Sequence, residues 1–231
     1  MPATFPIYLE VGKKRVFASA LNWPGWTRSA KTGEDALDLL NEYGSRYAKV
    51  VTRLGFVAPK NAAGFTIEER VKGDATTDFG APAIPWSKDA RPIKTDELKR
   101  LVTILERCWA AFDETAEANR RRSLKTGPRG GGRQIKAMVD HVNEADRAYL
   151  SRLGGSHKGK DTAELRAAIV EMLTATGRGT AAEPAPDETA VVAALRDPTQ
   201  HLARAGPRVG DRGPGLEPVL VDQQLGDLHR V

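Results

Sequence analysis

At Thr95 the spacing of apolar residues changes, and this limits the fold more than any other feature of the chain. Leu98, Leu101, Val102, Leu105, Cys108 and Phe112 follow one another at helical intervals, which puts them on one face of an α-helix. Thr95 is placed to cap that helix. Asp96 and Glu97 stand in its first turn, where the helix dipole favours them. The pattern returns twice. Ile135, Met138, Val142, Ala145 and Tyr149 form a second stripe, ended by Gly154 and Gly155. Leu165, Ala168, Ile169, Met172 and Leu173 form a third, capped by Asp161 and ended by Gly177. One-sided helices with short connections bury their faces on one another, so a helical bundle is expected over 95–178. Three helices of this length can pack; a fourth closes the core better.

Before Thr95 the period differs. IYLEVG and RVFASAL read as two strands joined by a short link at Lys13 and Lys14. NWPGW is a turn built on Pro24 and Gly25. Thr32 then caps a helix, with Asp35 as its partner, along which Ala36, Leu37, Leu39, Leu40, Tyr43 and Tyr47 recur at helical spacing. GFTIEERV reads as a further strand. Residues 1–80 are therefore expected to form a small α+β unit, antiparallel strands covered by one helix. Gly, Pro and Asp are dense from Asp74 to Lys94, and 81–94 reads as a linker or an extended arm across a surface.

Beyond Gly177 the character shifts again. In HLARAGPRVGDRGPG, from His201, Gly and Pro recur every few residues and would break any helix or strand. Residues 179–231 are expected to be poorly ordered or out of frame. The 231 residues are 40% hydrophobic and 28% charged, which fits a soluble protein with a modest core diluted by polar segments. No apolar run approaches the roughly 18 residues of a membrane span. The single cysteine excludes an intramolecular disulfide. With no secretion signal at the N-terminus, a cytoplasmic protein is expected.

The formal net charge is +5. Arginines gather in the tail and in the group Arg120, Arg121 and Arg122 with Lys125, Arg129 and Arg133. No aromatic residues interleave with them, so a solvated interhelical loop is expected rather than a nucleic-acid surface. GPRGGGR lacks the Lys-Ser/Thr ending of a phosphate-binding loop and reads first as a flexible connection. Cys108 lies at an apolar helix face with no His nearby in sequence, the position of a buried structural thiol. The serines show no nucleophile-elbow pattern. His157 falls in a loop and is expected to be solvated, and His201 and His229 fall in the tail. His141 is different: it is mid-helix and borders the buried stripe, with Glu144 three residues on as an outer acceptor. One imidazole does not make a metal site.

LKTGPRGGGR and MVDHVNEADRAYL are similar to segments of the DinB-like (YfiT-like) helical-bundle superfamily, of the uncharacterised actinobacterial type. That resemblance, which covers the chain from about Thr95, implies a four-helix bundle holding a divalent metal such as Zn, Ni, Mn or Fe. Three histidines hold it, one from one helix and an His-x-x-x-His pair from a later one. By motif His141 matches the first ligand, and no His-x-x-x-His occurs in this chain. The resemblance implies hydrolysis or thiol transfer on a small-molecule or thiol substrate, and it allows a homodimer. From the residues themselves no membrane partner is expected, and nucleic acid, held by an arginine-rich tail, is the less favoured reading.

The tail bears on the missing pair. With GC-rich codons chosen for Val191–Gly215 and the frame shifted by one base, the segment reads WSPRYAIRRSTWHALDHAWEIEDR, which resembles the closing helix of that superfamily. The expectation is that the chain is out of frame from a point between Gly177 and Val191, and so lacks a fourth helix and two of three ligands. Separately, VFASALNWPGWTRSAKTGEDALDLL is similar to the HicB-like antitoxin fold, where a strand leads through a Pro-Gly turn to a helix. This second resemblance covers about the first 70 residues and implies a non-enzymatic module that masks a small toxin ribonuclease.

Overall fold

Alternation of apolar and polar residues builds the N-terminal sheet, and the computed structural model describes residues 4–90, 93–123 and 134–177 of the chain. Strand β1 (Phe5–Val11) and strand β2 (Val16–Ala20) form an antiparallel hairpin, with Val11 opposite Val16 and Ile7 opposite Ala20. The link between them closes with a bond from Gly12 N to Arg15 O at 2.9 Å. The turn at Pro24–Gly25, with Gly25 at a φ of +85° that a side chain would resist, carries the chain into β3 (Thr27–Ala30). This third strand pairs antiparallel with β2. It escapes a reading by apolar alternation because it is only four residues long and mostly polar. Helix α1 (Gly33–Val50) follows, with Thr32 accepting a bond from the Asp35 amide as its cap.

Strand β4 (Phe65–Lys72) completes the order β3-β2-β1-β4. It runs parallel to β1, so the sheet is mixed and not antiparallel throughout. The reason is topological. Helix α1 carries the chain back along the sheet, and the strand after such a crossover points the same way as the strand before it. The α+β class stands.

One face of the sheet packs on α1. Ile7, Leu9, Val16, Ala18 and Ala20 meet Trp26, Ala36, Leu40, Tyr47 and Val51 in one buried cluster. The opposite face carries Tyr8, Glu10, Phe17 and Ser19, all buried. The segment 74–90 lies across it as an arm. It contains a short helix, α2 (Ala75–Phe79), whose cap Asp74 is bonded reciprocally with Thr77. The arm is tied to the sheet by Glu10, which accepts bonds from Thr77, Ala83 and Ile84. Glu69 of β4 adds bonds from the amide and hydroxyl of Ser87.

The bundle consists of α3 (Thr95–Asn119), α4 (Ile135–Arg152) and α5 (Thr162–Gly177). The N-cap of α3 is Lys94, in extended backbone and without a side-chain capping bond; Thr95 is the first helical residue. Asp161 caps α5 through bonds from the Ala163 and Glu164 amides. Gly154, at a φ of +86°, follows the end of α4. Leu98, Leu101 and Trp109 pack against Leu150, Leu153, Leu165, Ile169 and Leu173. At the far end of α3, Ala116 meets Ile135 at the start of α4, so the two helices run antiparallel.

Helix α3 serves both cores. Ile104 is buried in the sheet cluster and Cys108 packs against it, while Leu101 and Trp109 face the bundle. Arg100 adds a bond to Asn22 O at 2.7 Å and lies over the Trp23 ring. Ile104 falls outside the single stripe expected from the sequence because this helix buries two faces; Trp109, four residues after Leu105, shares the bundle-facing stripe. Among the described residues, no helix is long and apolar enough to cross a membrane.

Candidate functional site

Helix α4 holds the residues singled out in the sequence. His141 sits in its middle and is half-buried; Glu144, one turn on, is exposed. Among the described residues, no group of three or more His, Cys, Asp or Glu side chains could hold a metal ion. His141 therefore belongs to no such group among the described residues. His201, His229 and the segment with the shifted His-x-x-x-His reading lie outside the described residues, as do Lys125, Arg129, Arg133 and the whole of GPRGGGR. Arg120, Arg121 and Arg122 are exposed at the end of α3, where cations suit the helix dipole. His157 is half-buried rather than solvated, because its loop folds so tightly that the ring lies against Gly159.

A different group of ionisable side chains is drawn together where the three helices meet. Arg166 of α5 points both terminal nitrogens at Asp113 of α3, with Nη2 3.0 Å from Oδ1. Its guanidinium lies 5.1 Å from the centre of the Trp109 ring. Only Nε remains for Asp146 of α4, 3.7 Å from Oδ2 and beyond hydrogen-bond reach. Asp113 keeps a side-chain exposure of 53%, whereas Asp146 keeps 10% and Arg166 13%. Burial pushes the Asp146 carboxyl up to about 6 despite the opposing pull of Arg166 and of the neighbouring Trp109 side chain. Nearby Asp113 adds to the upward push.

The sequence carried a signal for this cluster. Asp146 stands four residues after Val142 and four before Leu150. Arg166 stands three before Ile169 and seven before Leu173. Each is a charge inside an apolar row, and two such charges of opposite sign on helices of one bundle suggest a pair.

Comparison with family models, with curated proteins and with solved structures finds no match to this chain.

Cys108 packs against the sheet core, and burial pushes its thiol up to about 12. Since the thiolate is the nucleophile, the native protein is expected to resist a thiol reagent at pH 7.5 and to react fully once unfolded in urea. Labelling with and without urea checks this; equally fast labelling in both would place the thiol in solvent.

Proposed function

We propose that this chain is a helical-bundle protein of the DinB-like type that, as it stands, lacks a complete metal centre. What supports this most is the position of His141: mid-helix in α4, half-buried at the side of the packed bundle α3–α4–α5. The described residues do not fit a metal by themselves. The hydrolase or transferase activity implied by the resemblance is therefore expected of the frame-restored chain alone, with a divalent metal such as Zn, Ni, Mn or Fe.

The test is elemental analysis after dialysis. The chain as given is expected to retain metal well below stoichiometry. The frame-restored chain is expected to retain about one ion per chain, and to lose it with His141→Ala while keeping its helix content. Stoichiometric metal that survives His141→Ala would remove His141 from any site.

A second reading rests on the N-terminal unit. Strand β2 passes through the Pro24–Gly25 turn and β3 into α1, which opens Gly33-Glu34-Asp35-Ala36-Leu37. This order supports a HicB-like, non-enzymatic binding module. Co-purification of a small basic toxin with the full chain supports that reading over the first.

A further inference from the structure

We propose that the Asp113–Arg166–Asp146 cluster is a pH-sensitive latch of the bundle, in which uptake of one proton by Asp146 tightens the packing of α4 against α3 and α5.

The geometry is that of two carboxylates competing for one guanidinium. Asp113 takes both terminal nitrogens of Arg166. Asp146 is left facing Nε at 3.7 Å, and neither Asp146 Oδ2 nor Arg166 Nε makes a hydrogen bond. A carboxylate anion that is buried without its full set of donors is costly. Protonation removes that cost and turns one oxygen into a donor. It does not strand Arg166, which keeps the charge of the more exposed Asp113. The charged groups that act on Asp146 are Arg166 from α5 and Asp113 from α3. The third neighbour, Trp109 of α3, is a neutral donor.

The sign follows from linkage. In the unfolded chain an aspartate titrates near 3.9; in the native protein Asp146 titrates at about 6. The native state holds the proton more tightly, so this contribution to stability is fully present below the unfolded value and is lost as pH rises through about 6. Acidification from neutral pH thus strengthens the bundle at this site, opposite to the usual effect of a salt-bridged carboxylate.

The experiment is thermal unfolding of the full chain between pH 4.5 and 8, comparing the natural protein with Asp146→Asn and Asp113→Asn. Asp146→Asn, which mimics the protonated form, is expected to melt with the natural protein at the acid end. At pH 8 it is expected to melt higher, by on the order of 5 °C. Asp113→Asn frees the guanidinium for Asp146 and moves the transition to lower pH. On the natural protein alone, the indole N–H resonance of Trp109 is expected to titrate with the Asp146 side-chain carboxyl carbon, midpoint between pH 5 and 7. That titration decides the matter if a variant does not fold. Parallel melting profiles for the natural protein and Asp146→Asn, or an Asp146 carboxyl that titrates below pH 5, overturn the proposal.

Discussion

Trp26→Ala is expected to cost about 4 kcal/mol, the largest loss from any single truncation in the sheet core. Trp26 is completely buried. Its ring meets Phe5 edge-on at 5.2 Å and Phe56 at 4.8 Å, and stacks on Tyr47 at 6.0 Å. Its indole nitrogen donates to the Leu40 carbonyl of α1 at 2.8 Å. The backbone around it is fixed as well, by bonds from Trp26 N to Trp23 O and from Ala20 N to Trp26 O. The cavity left by alanine has little freedom to collapse, because its walls are rings held by one another and by the Pro24 carbonyl, which Tyr47 bonds at 2.8 Å. Trp26→Phe separates the terms. It keeps much of the apolar contact and removes the hydrogen bond, for about 1–2 kcal/mol. Urea unfolding of the two variants checks both figures, with an unchanged slope as the condition for reading the midpoints as stability. A small domain has only about 5–15 kcal/mol in all, so the alanine variant is expected to be partly unfolded at 37 °C. A loss for Trp26→Ala below about 1 kcal/mol would mean that the aromatic cluster is not the centre of this core.

Helix periodicity carried most of what could be read in advance. The caps at Thr32 and Asp161 and the terminating glycine at 154 were all visible as local residue chemistry. The features that stayed hidden depend on distant parts of the chain meeting. No residue of FTIEERVK records that this strand will run parallel to β1; that follows from the crossover through α1. The two buried faces of α3 are invisible in its own spacing, because Ile104 is buried in the cluster formed by the N-terminal sheet and α1, which its own helix does not record. At the candidate site the contrast is similar. His141 stands out by residue type and place, but among the described residues it joins no metal-holding group. The Asp146–Arg166 pairing could be suspected from charges in apolar rows, but the diversion of Arg166 to Asp113 needs the helix orientations.

Glu10 is the sharpest case of a residue whose role the local pattern conceals, and Glu10→Ala is expected to cost about 3 kcal/mol or more. In an alternating strand a glutamate between Leu9 and Val11 marks the solvent face. Here that face lies under the 74–90 arm, and Glu10 is completely buried. Its Oε1 accepts from the Thr77 hydroxyl and from Ala83 N at 2.9 Å, and its Oε2 from Ala83 N at 3.0 Å and Ile84 N at 3.1 Å. Hydrogen bonds to a charged acceptor are stronger than neutral ones, and this carboxylate gathers its donors from an arm with few other anchors on the sheet. Truncation leaves the Ala83 and Ile84 amides facing an apolar hole. Glu10→Gln tests the chemistry without the hole: the amide keeps one acceptor oxygen but turns N–H groups toward the backbone amides, donor against donor. It too is expected to destabilise, by about 1–3 kcal/mol. Amide hydrogen exchange distinguishes a local from a global effect. If Glu10 holds the arm down, exchange at Ala83 and Ile84 accelerates in both variants well before that of Leu9 and Ala18 in the sheet. If all four sites accelerate together, the arm and the sheet open as one unit, and Glu10 is an element of the core rather than a clasp on its surface.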